Sequence, residues 1–174
     1  MTSQSINSIE SLLLDLTKES SSYYIKQKNL SSFVQKSGNI IYSHYKPYQG
    51  EITPTLIKQH LNKEITLAID LKKDNILLYK YRGKRAYAFG VLFFKLISKD
   101  IVKKSHIIKY SDDTLLIYLE LKNKELIEEF KEEIEKKLLF HLEKEWKVYP
   151  IEDRPKIGNL MELPREFIEL PWSF

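Results

Sequence analysis

The 174-residue chain contains no cysteine. That excludes disulfides, thiolate zinc sites, iron–sulfur clusters and a cysteine nucleophile. Glycine is scarce, at five residues, and no glycine-rich phosphate loop, GxGxxG or GxSxG pattern occurs. The four histidines (His44, His60, His106 and His141) are scattered, with no HExxH and no i, i+4 pair. A metal held mainly by imidazole is therefore not expected. His60, in IKQHLN, reads as a partly exposed helix residue rather than a base. No apolar run reaches the roughly 18 residues that a membrane span needs. The opening MTSQSINSIES has no basic residue ahead of an apolar stretch, so it does not read as a secretory signal. The expectation is a soluble, cytoplasmic protein without membrane contact.

The composition, 43% hydrophobic and 30% charged, is that of a globular chain able to bury a core. The length makes one domain the default. The net charge is only +4, but it is unevenly spread. Lys72 to Lys109 holds 11 Lys/Arg against 2 Asp/Glu, whereas Asp112 to Glu145 holds 6 against 11. Such asymmetry suits one basic face meeting an anionic partner, although charge runs are often only solvated surface.

Periodicity lays out the elements. Ile6, Ile9, Leu12, Leu13 and Leu16 have helical spacing, with Asn7 and Glu10 placed for a capping box. Residues 23–36 read as a weaker helical segment, Asn39–Tyr45 as a strand and KPYQGEITP as a loop. Thr53 or Thr55 caps a short helix through Leu61. Ile65–Leu71 and Ile76–Tyr81 read as strands about an Asp74–Asn75 turn. Ala86–Ile97 reads as a buried helix, Ser105–Tyr110 and Thr114–Leu121 as a hairpin, Lys124–Glu145 as an amphipathic helix, and Trp146–Ile151 as a strand. Trp146 and Trp172 read as packing anchors. The proline-bearing tail reads as irregular.

From Ile76 the order is β-α-β-β-α-β, the ferredoxin-like or RNA-recognition-type unit. The predicted architecture is one α+β domain over 1–174. It has an N-terminal α/β portion (1–63), a sheet-and-helix core (64–151) and a tail (152–174).

Two stretches bear candidate chemistry. YKYRGKRAYAF, residues 79–89, packs four bases and three tyrosines between apolar runs. Lys80, Arg82, Lys84 and Arg85, with Lys72 and Lys73 upstream, suit phosphates, and Tyr79, Tyr81 or Tyr87 suits base stacking. A solvated turn with a few bases is the plainer reading. The second stretch is YSDDTLLIYLELK, residues 110–122. Here Glu120 and Lys122 share a strand face, with Asp113 or Asp70 as a first acid and Asp112 as a further carboxylate of the set. Carboxylates and a lysine around Mg²⁺ are the equipment of a nuclease or nucleotidyl transferase. Glu-x-Lys also arises by chance in a chain this charged.

In order, EITPTLIKQHLNKEITLAI, DNILLYKY, IIKYSDDTLLIYLEL and KIGNLMELP resemble segments of the archaeo-eukaryotic primase superfamily, in its primase–polymerase-like branches. The resemblance covers roughly residues 50–174 and rests on order and hydrophobic pattern. It implies a primase-palm-like core. It also implies catalytic loss: where the metal-binding aspartates would fall the chain reads Tyr79-Lys80-Tyr81-Arg82, and near the motif histidine it has Leu115 and Leu116. On this resemblance no metal site or nucleotide contact is carried over.

The function expected is a non-catalytic accessory protein of replication or repair. It would bind single-stranded or primer–template nucleic acid beside a catalytic protein partner, without a cofactor. The alternatives are a Mg²⁺ enzyme using Asp70, Asp113, Glu120 and Lys122, and a pure protein-interaction module.

Overall fold

The computed structural model describes residues 8–18, 23–27, 34–37, 40–43, 45–72, 75–151, 159–167 and 169–173. The chain is α+β, with two antiparallel sheets, a separate two-stranded ladder and four α-helices among the described residues. It divides into two compact units. One comprises the chain through Asp74 together with Pro150–Glu166; the other comprises Asn75–Tyr149 together with Phe167 onward. The 64–151 core read from sequence is thus divided, and its first strand belongs to the first unit.

In the first unit, α1 (Ile9–Thr17) starts at Ser8, whose hydroxyl accepts from the Ser11 N–H. Ser8, not Asn7, is the cap; Asn7 lies outside the described residues. The segment read as helical instead supplies strands β1 (Tyr23–Gln27) and β2 (Val34–Ser37), the latter paired with β3 (Ile40–Ser43). β4 (Lys46–Tyr48) follows, then α2 (Pro54–Leu61), capped by the Thr53 hydroxyl with Pro54 in its first turn. β5 (Ile65–Asp70) is central in a sheet ordered β10-β5-β1-β4.

The tail is more regular than its prolines suggest. Leu160–Glu162 forms β10 on the edge of β5. Arg165 spreads its guanidinium over the carbonyls of His60 and Ile65 and the Thr66 hydroxyl. His60 is fully buried, which corrects the expectation of a partly exposed residue. Its Nδ1 accepts from the Leu67 N–H at 3.1 Å. That bond requires an unprotonated Nδ1, so the proton sits on Nε2, 3.1 Å from the Leu163 carbonyl. Burial, then the Arg165 charge, holds the imidazole below its ordinary pKa.

The second unit holds β6 (Ile76–Arg82), α3 (Ala86–Leu96), β7 (Val102–Lys109), β8 (Thr114–Leu121), α4 (Ile127–Leu139) and β9 (Trp146–Tyr149), with β11 (Glu169–Ser173) last. A 3₁₀ turn at Lys124–Leu126 precedes α4. Every neighbouring pair in the order β11-β7-β8-β6-β9 is antiparallel. α3 and α4 cover one face of this sheet. Phe89, Phe93, Phe130, Ile134 and Leu138 meet Leu77, Tyr79, Tyr81, Ile117 and Trp146 there in one buried cluster. Trp146 anchors that cluster, 5.4 Å from Phe89 between ring centres. Trp172 joins β11 by pairing opposite Ile107.

Candidate nucleic-acid interface

Strand β6 sorts the YKYR segment by alternation. Tyr79 and Tyr81 point to the helix side and are 0% and 1% exposed. Tyr79 meets Phe93 edge-on at 4.6 Å, and Tyr81 stacks on Phe89 at 4.6 Å. Neither ring offers a face to a base. This corrects the stacking role expected of both, and the physical reason is the burial of that sheet face under α3 and α4. The Tyr81 hydroxyl donates to the Glu145 carboxylate. Burial, then that bond, pushes its pKa up to about 12.

The intervening bases emerge on the other face. Lys80 and Arg82 are exposed. Lys80 lies directly opposite Lys147 of β9, which is exposed too. Directly opposed residues of an antiparallel pair share a face, and like charges in that position repel. Gly83 then turns the chain, its N–H donating to the Asp113 carbonyl at 2.8 Å. An added Cβ at Gly83 would come within 2.6 Å of the Glu145 carboxylate, the far end of a flexible side chain that would have to swing aside. Lys84 and Arg85 follow, both exposed, and α3 starts without a side-chain cap or an acid in its first turn. The positive end of the helix dipole thus adds to the local basic charge.

Acids temper this end, the Glu145 carboxylate beside Gly83 and the pair Asp112 and Asp113 among them. Asp113 lies 3.8 Å from the Arg82 guanidinium. Hydrogen bonds from the Ser111 and Thr114 hydroxyls, then Arg82, hold its carboxyl below the ordinary value. Asp112 in the same turn pairs with Lys109.

Asp113 and Glu120, proposed for Mg²⁺, do not converge. Asp113 precedes β8 and Glu120 is near its far end, seven residues on, roughly 23 Å for extended backbone. Glu120 pairs with Lys103 at 2.7 Å, and the Lys122 ammonium donates to the Lys99 carbonyl. Asp70 is buried in the first unit, where it accepts from the Lys72 N–H. Among the described residues no group of three or more His, Asp and Glu is placed to hold a metal. Lys72 belongs to the first unit and Lys73 lies outside the described residues.

A groove of about 690 Å³ in the first unit is lined by residues that include Leu14, Lys18, Tyr48 and Glu51. It carries one base and one acid and has no preference for anions. Among the described residues no helix is long and apolar enough to cross a membrane.

Residues 9–77 match a family described as a domain of unknown function (DUF1882). That segment takes in the groove, Lys72 and Lys73, and stops at the start of β6, before Lys80, Arg82, Lys84 and Arg85. No curated protein matches the chain.

Proposed function

We propose that this chain is a non-catalytic nucleic-acid-binding protein, and that Lys80, Arg82, Lys84, Arg85 and Lys147 are its phosphate contacts. The observation that carries the reading is the Lys80–Lys147 opposition. Two like charges across a ladder cost stability unless an anion lies over them. Their neighbours at the same strand end are further bases.

The strand order β9-β6-β8-β7, with helices after β6 and after β8, supports reading the second unit as a ferredoxin-like, RNA-recognition-type body. The primase-palm likeness, the setting in replication or repair and the catalytic protein partner rest on the sequence resemblance. The separation of Asp113 from Glu120 favours the non-catalytic reading over a metal-dependent nuclease.

The test is binding of a labelled single-stranded oligonucleotide at low and high salt. The intact chain is expected to bind with steep salt dependence. An Arg82/Lys84/Arg85→Ala triple variant should bind weakly, with the log–log salt slope reduced by about 2. No binding by the intact chain at low salt would remove nucleic acid as the ligand.

A further inference from the structure

Connectivity gathers exposed aromatic side chains at the basic end of the second unit's sheet. Tyr87 is 71% exposed, one residue into α3 and two beyond Arg85. Tyr110 is 40% exposed and leads into the turn between β7 and β8. That turn meets the end of β6: Thr114 lies opposite Arg82, and the Gly83 N–H donates to the Asp113 carbonyl. Phe140 is 84% exposed, directly after α4. α4 leaves the far end of β8 and leads back to β9, which starts opposite Tyr81. The Glu145 carbonyl there accepts from the Arg82 N–H at 3.1 Å.

Exposed large aromatics normally need no comment when single. Three of them bordering five bases at one strand end is the equipment of a surface for unpaired bases. Aromatic faces stack on any base, while the bases track the backbone.

Resting on the nucleic-acid reading above, we infer that Tyr87, Tyr110 and Phe140 stack on unpaired bases, so that the ligand is a single strand rather than a duplex. Stacking accepts every base, and the surface therefore has little sequence preference. Asp113, paired with Arg82, lies beside this path and competes with an incoming phosphate for that guanidinium.

The experiment uses the full chain, a labelled oligothymidylate of about 20 nucleotides and a duplex of equal length. Tyr87→Ala, Tyr110→Ala and Phe140→Ala should each weaken single-strand binding about 10-fold. Phe140→Trp and Tyr87→Phe should retain it. Unchanged thermal melts of the alanine variants would exclude misfolding as the cause. In a strand carrying 2-aminopurine, emission should fall on binding to the intact chain and recover in the alanine variants. Should the three alanine variants bind like the intact chain while the Arg82/Lys84/Arg85 variant does not, stacking is overturned and phosphate contact stands. Equal affinity for duplex and single strand overturns the single-strand assignment. Absence of any binding overturns both readings together.

Discussion

Lys80 and Lys147 face each other across the β6–β9 ladder, on the side of the sheet turned away from α3 and α4. Replacing one lysine by an acid turns repulsion into attraction. Lys147→Glu should raise the melting temperature slightly, by about 0.5 kcal/mol or less of stability. The same change should weaken oligonucleotide binding. Thermal melts and a binding titration on one preparation check both; a variant that gains stability and keeps its affinity would remove Lys147 from the contact.

Asp113 should restrain binding through its pair with Arg82. Asp113→Asn keeps the shape and removes the charge. Tighter binding with a steeper salt dependence is expected, read from titrations at several salt concentrations. Weaker binding would show that Asp113 positions Arg82 rather than competing for it.

His60 gives the first unit an acid limit. Its folded pKa lies below the ordinary value of about 6.5. The unfolded chain therefore takes up the proton first as pH falls. The stability it supports is fully present above about pH 6.5 and declines below it, by at most about 1.4 kcal/mol per pH unit for one proton. Melting temperatures from pH 8 down to pH 5, roughly the span over which a histidine titrates, should show this fall. His60→Asn should be less stable at neutral pH and show a flatter acid limb.

The Tyr79 hydroxyl is buried without a hydrogen-bond partner. Tyr79→Phe removes a desolvated polar group and keeps the edge contact with Phe93. Denaturant unfolding should show a gain of about 1 kcal/mol. A loss of stability would reveal a partner for that hydroxyl.

Gly83, Glu145 and Tyr81 act as one assembly. An alanine methyl at Gly83 displaces the Glu145 carboxylate and breaks its bond to Tyr81. Gly83→Ala and Tyr81→Phe should each cost about 1 kcal/mol, and the double variant little more than either. Additive losses in that cycle would show that the glycine acts elsewhere.

Much of the second unit was legible in the sequence because its signals are local. The stripe Phe130, Ile134 and Leu138 sets α4, and alternation sets β6 and β8. The same alternation, followed through Tyr79-Lys80-Tyr81-Arg82, places tyrosines in and bases out; reading the four as one patch missed it. Phe140 also left a signal, since it sits about 200° around the helix from Leu138 and so off the stripe. Tyr110 left none, because its exposure depends on where the 111–113 turn meets Gly83. His60 was illegible for the same kind of reason. Its partners, Leu67 and Leu163, are 7 and 103 residues away. Strand β1 was hidden because its pairing with β5 brings together segments about 40 residues apart, and no helical or strand period dominates so short a run.

The chain passes between its two units three times: after Asp74, after Tyr149 and after Glu166. The second unit is in effect spliced into the first, and the last strand goes back to the second. During synthesis the first unit lacks an edge strand and the Arg165 clamp until residues 159–166 have left the ribosome, and β7 waits longer still for β11. The 9–77 segment, expressed alone, carries His60 without the carbonyl it donates to and β5 without one of its two neighbours, β10. In this chain the matched segment is therefore a fragment of a folding unit, and its borders are not places to cut.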